Sequence, residues 1–175
     1  EQAMFELLSL LAFQAGLRWR SILRRRADLK KALAGFDPDE LATWGPEQLE
    51  ALVENPKVIR NRRKLSAILQ NATATVRLRS QGGLVAVIWE HQPDACPEFS
   101  PSGELPDSTE ESARLAKTLK EHGFSAVGPK SCFALMQSAG VVDTNPPNAF
   151  KRGSSGLWDQ DGNRVRSPLE TPLAS

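Results

Sequence analysis

The 175-residue chain has few of the residues that mark disulfide-rich or metal-binding proteins. It contains two cysteines, Cys96 and Cys132, and two histidines, His91 and His122, each in an unrelated local context. Two isolated cysteines give no disulfide framework, and neither residue type has the spacing of a zinc site. We therefore expect reduced thiols and no bound metal.

Long apolar runs are also absent. No stretch approaches the roughly 18 to 20 apolar residues that cross a bilayer, and no basic segment leads into an apolar one at the start of the sequence. Hydrophobic residues make up 40% of the chain and charged residues 25%, which is ordinary for one globular domain with a real core. We expect a monomer that acts in the cytoplasm and has no membrane partner.

Positive charge is concentrated in the first part of the chain, although the formal net charge is only +1. Residues 1–80 contain 14 Lys and Arg against 9 Asp and Glu, whereas the remainder contains 8 against 12. A basic face of this kind suits a polyanion, since Lys and Arg displace condensed counterions from phosphates. Charge alone leaves an ordinary solvated helix face open as the explanation.

The hydrophobic spacing predicts helices and no sheet. An apolar stretch over 4–13 is expected to form a buried helix that stops near Gly16, and Leu65, Ile68 and Ala72 form a helical stripe. Several segments also carry the signals of helix starts. These are Asp37-Pro38, Gly128-Pro129 and a capping box made by Ser108 and Glu111.

The sequence therefore predicts an all-α protein. One helical domain is expected over 1–143, interrupted by a polar, proline-rich loop over 92–106, because the composition changes after Asp143. From 144 to 175 the chain is rich in Pro, Gly, Ser and isolated charges, which is typical of an irregular, flexible tail.

A candidate DNA-binding element lies between Glu47 and Leu65. Two short helices joined by a tight turn over 54–58 precede a basic run, a pattern typical of a helix-hairpin-helix. In such an element, backbone amides and the positive end of the second helix can receive a DNA phosphate. An ordinary helical corner with a basic face fits the pattern equally well. In the first case we expect six residues to hold the DNA backbone: Lys57, Arg60, Asn61, Arg62, Arg63 and Lys64.

Several segments resemble the DNA-3-methyladenine glycosylase I family in their order and spacing. The likeness covers about residues 4–143, and its most specific part is Gln14-Ala15-Gly16-Leu17-Arg18-Trp19, where the family usually has Ser at the position of Arg18. Further matching segments are Phe5-Glu6-Leu7-Leu8, Gly35-Phe36-Asp37-Pro38, Ile59-Arg60-Asn61-Arg62-Arg63-Lys64 and Gly123-Phe124. The resemblance implies a helix-hairpin-helix DNA glycosylase of base excision repair, which flips an alkylated adenine from duplex DNA and hydrolyses its N-glycosidic bond.

The resemblance also implies a base pocket. Trp19 matches the tryptophan that stacks on the extruded base, and Gly16 and Leu17 match the turn near the gap that the base leaves. Gln14 is a candidate for a polar contact, while Leu11 falls on the position of the family's pocket glutamate. The residues alone favour a core position for Trp19. They fit equally well a core position for Leu11 and Leu17, a helix stop at Gly16 and an ordinary turn residue at Gln14.

Three features of the active family are missing from this sequence. The glutamate is replaced by Leu11, the chain contains no Tyr, and Asn145 and Ala149 stand near the positions of a carboxy-terminal zinc-ligand pair. We therefore expect no metal and no cofactor, and no residue is identified as a general base. Beside the glycosylase we keep a noncatalytic relative that binds damaged or distorted duplex, and an unrelated helical bundle that would have no affinity for DNA.

Overall fold

A computed structural model describes residues 1–100 and 102–170 of the chain. In these ranges the chain is helical, and its β-type pairing is limited to two isolated bridges, Ala95 with Asn163 and Trp158 with Arg164. The predicted all-α fold is confirmed. None of the described helices is long and apolar enough to cross a membrane. The helices are α1 (Gln2–Gln14), α2 (Trp19–Ala32), α3 (Pro38–Leu41), α4 (Pro46–Glu54), α5 (Arg62–Leu78), α6 (Gly83–Trp89), α7 (Glu110–Glu121) and α8 (Pro129–Ala139), with short 3₁₀ turns at Ala34–Phe36 and Arg79–Gln81.

The chain divides into two compact units. The first comprises Glu1–Leu84 and Lys117–Val127, and the second comprises Val85–Ala116 and the described residues from Gly128 onward. Within the first unit, α5 packs against α1, α3 and α4, and α1 also packs against α2. The hairpin between α4 and α5 and the turn between α1 and α2 therefore belong to the same unit.

Helix α1 forms where the apolar stretch predicts it. Eight of its residues are buried, including Phe5, Leu8 and Phe13. Such burial on nearly every side is expected of a helix at the centre of a bundle. The helix ends before Gly16, whose φ of 79° lies in the left-handed region that glycine adopts at little cost. The predicted stop is confirmed.

Helix α5 carries the predicted apolar stripe, and two polar side chains are buried beside it. Leu65, Ile68 and Ala72 are fully buried. Asn71 is also fully buried, and its amide donates to the carbonyl of Ser125 at 3.0 Å while its Oδ1 accepts from the Ser125 amide at 2.8 Å. The buried Asn71 side chain therefore satisfies its polar atoms with the backbone of Ser125, and these two hydrogen bonds hold the Ser125 segment against α5.

Helix ends follow the predicted signals in most places. The Asp37 carboxylate accepts from the Asp39 amide at 2.9 Å at the start of α3, and Gly128 precedes α8. The predicted capping box of Ser108 and Glu111 is wrong by one residue, because Thr109 and Ser112 exchange hydrogen bonds at 2.8 and 3.2 Å instead.

The segment after residue 143 is irregular, as expected, but it contains buried side chains. Trp158 is 2% exposed and Arg152 is 6% exposed. The Arg152 guanidinium donates to the carbonyls of Asn145, Gln160 and Asp161 at 2.8, 2.7 and 3.2 Å. The flexibility of 144–175 and the boundary after 143 stay predictions, and residues 171–175 lie outside the described part.

Candidate nucleic-acid interface

The connection between α4 and α5 is a compact turn built by Asn55. Its side-chain oxygen accepts from the Lys57 amide at 2.9 Å, and its carbonyl accepts from the Val58 amide at 3.2 Å. Val58 is 2% exposed, so its side chain anchors the turn in the unit. The sequence motif therefore does form two helices joined by a hairpin.

The second half of the hairpin presents unpaired backbone donors. Asn61 caps α5, because its side chain accepts from the Lys64 amide at 3.1 Å. The amides of Ile59 and Arg60, and those of the first two residues of α5, have no acceptor among residues 1–100 and 102–170. Four amides beside the positive end of a 17-residue helix make an environment that favours an anion.

Three of the predicted backbone-binding cations are free to meet such an anion. Lys57, Arg60 and Arg63 are exposed, and no carboxylate of the described chain lies within ion-pair distance of them. Arg62 differs, because its guanidinium makes two hydrogen bonds to the Glu50 carboxylate. Those bonds raise the pKa of Arg62 and lower that of Glu50, and they tie α5 to α4.

Lys64 also has a partner within the chain. Its amine donates to the carbonyl of Phe13 at 2.8 Å and to that of Ala15, at the carboxyl end of α1. Burial lowers the pKa of this lysine. Among the six predicted DNA-backbone residues, the structure thus places Arg62 and Lys64 in internal contacts and Asn61 in a helix cap.

The turn between α1 and α2 presents an apolar side chain to solvent. The Leu17 amide donates to the Gln14 carbonyl at 2.6 Å, and the Leu17 side chain is 44% exposed. Gly16 lies within the turn, where a Cβ atom would meet nothing within 4 Å. Trp19 is the first residue of α2 and is partly exposed. The space around Gly16 would thus accept a larger side chain, and its left-handed backbone angle is the feature that requires glycine.

Two depressions join this turn and α1 to the hairpin. The first has a volume of about 370 Å³, and its wall includes Leu17 from the turn and Arg60 from the hairpin. The second, of about 610 Å³, is lined by Ala15 from the end of α1, by Arg63 from α5 and by Ser125. The structure therefore brings Leu17, which was assigned to the base gap, next to a cation assigned to the DNA backbone.

Some neighbours of the hairpin were not expected from the sequence. Arg24 and Arg25 of α2 line a depression of about 490 Å³ together with Lys57. Their charge was visible in the basic run of α2, but only the packing of α2 places them beside the hairpin. They extend the positive surface from α5 to α2.

Leu11 is buried, and Asn145, which stands near a zinc-ligand position of the family that the sequence resembles, is hydrogen-bonded to Asp143. Leu11 is 4% exposed on the buried side of α1. Asn145 donates to the Asp143 carboxylate at 2.6 Å from its side chain and at 2.9 Å from its backbone. The side chain and backbone amide of Asn145 thus both bond to the same carboxylate.

Comparison with known proteins agrees with this arrangement. Residues 1–152 match the sequence model of the family described as methyladenine glycosylase. DNA-3-methyladenine glycosylase 1 of Escherichia coli (strain K12) is 36% identical over 144 residues, which are 80% of this chain and 76% of that protein. The DNA-3-methyladenine glycosylase of Haemophilus influenzae is 36% identical over 148 residues, which are 81% of this chain and 78% of that protein.

Solved structures of 3-methyladenine DNA glycosylase I have a similar fold. A crystal structure of 3-methyladenine DNA glycosylase I superposes with a TM-score of 0.78 at 33% identity, covering 85% of this chain and 84% of that one. A solution structure of 3-methyladenine DNA glycosylase I superposes with a TM-score of 0.70 at 35% identity, covering 82% and 78%. With a family match that extends over most of its length, the chain belongs to the methyladenine glycosylase family.

Proposed function

We propose that this protein is a DNA glycosylase of base excision repair, which hydrolyses the N-glycosidic bond of 3-methyladenine or a related alkylated purine. The observation that carries the proposal is the shared depression of Leu17 and Arg60, which places an exposed apolar side chain beside a free cation and unpaired amides. The relatives named above are DNA-3-methyladenine glycosylases. We further propose that it acts as a monomer, in the cytoplasm, on double-stranded DNA.

The hairpin would hold the DNA backbone. A phosphate between the amides of Ile59 and Arg60 and the start of α5 would accept hydrogen bonds that the protein itself leaves unmade. Arg60, Arg63 and Lys57 would neutralise this phosphate and its neighbours. Because amides and cations contact only the backbone, they set the register of the duplex without reading its sequence.

Leu17 would occupy the gap left by the flipped nucleotide. Apolar side chains that enter a base stack offset part of the cost of unstacking, which is a few kcal/mol. Leu17 is 44% exposed, so its side chain is accessible to enter such a gap. Gly16 gives the turn its left-handed backbone angle, so the leucine can project from the end of α1.

The extruded base would stack on Trp19, with Gln14 as a polar neighbour and Leu11 on the pocket wall. An adenine methylated at N3 is cationic, so it is attracted to the face of an indole and is also a good leaving group. In the reaction, a water oxygen bonds to C1′ of the sugar while the bond to the base breaks. The base takes the bonding electrons and leaves neutral, and the water releases a proton to solvent.

The second candidate function is a noncatalytic relative that binds damaged duplex. Leu11 favours it, because an apolar side chain that is 4% exposed occupies the position of the family's hydrogen-bond acceptor. A base edge that is buried without its partner loses on the order of 1 to 3 kcal/mol. The two functions share the hairpin and differ only in whether the bond to the base is cleaved.

Base release from methylated duplex tests the proposal. The purified chain is compared with Leu11→Glu and Leu11→Gln, and free bases are identified by chromatography. Leu10→Gln is the matched control, because it also buries an amide on α1 at a residue that is 3% exposed.

We expect the unaltered chain to release an alkylated purine, and Leu11→Gln to alter the preferred base while Leu10→Gln does not. Release by Leu11→Glu alone would support the noncatalytic relative. If none of the chains releases a base although each binds duplex, the glycosylase proposal is wrong.

A further inference from the structure

Lys64 occupies a position where a helix alone would disfavour it. It is the third residue of α5, at the positive end of the helix dipole, where anions and not cations are stabilised. Desolvation by burial lowers the pKa of its amine, which adds to the cost of holding a charge there. Some other contact must therefore account for this placement.

That contact is the carboxyl end of α1. The Lys64 amine donates to the carbonyls of Phe13 and Ala15, the residues on either side of Gln14. Carbonyls at the end of a helix have no intrahelical partner and carry partial negative charge, and α1 has no basic residue in its own last turn. Lys64 thus supplies from α5 the cap that α1 lacks.

Lys64 joins the start of α5 to the end of α1, and these two helix ends have different roles in the proposed function. The start of α5 presents the amides and cations for the DNA backbone. The end of α1 leads directly into Gly16, Leu17 and Trp19, the turn proposed for the gap and the base. One side chain therefore connects the backbone-binding element to the base-handling turn within the same compact unit.

We infer that Lys64 is a positioning residue, which sets the Leu17 turn against the hairpin and does not bind a DNA phosphate. This inference rests on the proposed function for its effect on excision, but its effect on the turn is independent of that function. Loss of the amine would leave the hairpin able to bind duplex while the turn loses its fixed geometry. Misplacement by about 1 Å can lower a rate by about 100-fold.

The experiment compares Lys64→Met, which keeps an unbranched apolar stem and removes the donors, with Lys64→Arg, which keeps a charged donor. Lys117→Met is the control, since it removes an exposed lysine of α7 whose only ion pair with the described residues is a 3.9 Å contact with Glu121. Three quantities are measured: the salt dependence of duplex affinity, the single-turnover rate of base release, and amide hydrogen exchange over residues 14–19.

We expect Lys64→Met to release base about 10- to 100-fold more slowly, with an unchanged salt slope, and Lys64→Arg to retain more of the rate. Exchange at Leu17 should be faster in Lys64→Met, because the hydrogen bond from the Leu17 amide to the Gln14 carbonyl forms only while the turn keeps its geometry. The inference would be overturned if Lys64→Met lowered the magnitude of the salt slope by about 0.9 and left the amide exchange of residues 14–19 unchanged. Lys64 would then be a phosphate contact.

The same measurements separate a failure of the glycosylase proposal from a failure of the positioning role. If the unaltered chain releases no base, the glycosylase proposal fails, and the exchange of residues 14–19 still decides the inference. Unchanged exchange in Lys64→Met, with cooperative unfolding retained, would overturn the positioning role whether or not the chain is an enzyme.

Discussion

Replacing Arg60 and Arg63 by Ala tests whether the hairpin holds DNA phosphates. Both side chains are exposed, and neither has an ion-pair partner in the described chain, so their full charge is available to DNA. Each phosphate that a protein neutralises contributes about 0.9 to the slope of log affinity against log salt concentration. We expect the double variant to lower the magnitude of this slope by about 1.8.

The slope difference has a direct consequence for affinity. When salt is raised from about 50 to 200 mM, the affinity of the unaltered chain should fall about twelvefold more than that of the double variant. The assay is fluorescence anisotropy of a labelled duplex titrated at several salt concentrations. An undamaged duplex is sufficient, since contacts to the backbone do not depend on the lesion.

Arg77→Ala is the matched control for this experiment. Arg77 is an exposed arginine in the last turn of the same helix, about 21 Å along the axis from Arg63. It should leave the slope unchanged. If the double variant keeps the slope of the unaltered chain, or if Arg77→Ala lowers it equally, the hairpin is not the phosphate-binding element and the reasoning is refuted.

Two further predictions concern stability. Trp158→Ala should lower the free energy of unfolding by about 3 to 5 kcal/mol in urea titrations, because Trp158 is 2% exposed; no effect would mean that its segment does not pack. Burial raises the pKa of the Glu6 carboxyl, but hydrogen bonds and charges from Arg26 and Lys30 lower it by more, to a value below the ordinary one. A carboxyl with a depressed pKa contributes stability above its unfolded pKa and loses that contribution as pH falls through its folded pKa. As pH falls below the ordinary pKa of a glutamate, Glu6→Gln should therefore lose less stability than the unaltered chain, and an equal loss would contradict the role of the ion pairs that this buried carboxylate makes with the half-exposed Arg26 and Lys30.

Local signals in the sequence predicted much of the fold. The Asp37 cap and the stop at Gly16 depend on residues adjacent in the chain, and both are confirmed. The predicted capping box failed by one residue for a physical reason. Ser112 is fully buried, and its hydroxyl accepts from the Thr109 amide at 2.8 Å and donates to the Thr109 carbonyl at 2.9 Å. The carboxylate of Glu111, which was predicted to form the box, instead accepts from Arg114 at 3.2 Å.

The roles of individual cations could not be predicted from the sequence. Lys57, Arg60, Arg62, Arg63 and Lys64 form one basic run, and nothing in that run separates free side chains from paired ones. The Arg62 pair with Glu50 depends on how α4 meets α5, and the Lys64 contacts reach back about 50 residues to the end of α1. Such pairings are set by tertiary packing, which spacing within the run does not encode.

The packing of the segment over 144–170 was also not predictable from its sequence. Its Pro, Gly and Ser content predicts a flexible tail with few residues for a core, and the flexibility itself stays a prediction. Arg152 nevertheless donates hydrogen bonds to three carbonyls, and Trp158 is buried. Composition averages over the segment, and it therefore misses a cluster organised by two side chains.

The most direct test of the central claim is the stoichiometry of base release in a duplex that contains a single 3-methyladenine. The unaltered chain, in excess over DNA, is incubated with this duplex, and free base and abasic sites are counted in the same samples. We predict equal amounts of free 3-methyladenine and abasic sites, both increasing with time. Tight binding of the duplex with neither product would contradict the claim and identify the chain as a noncatalytic member of its family.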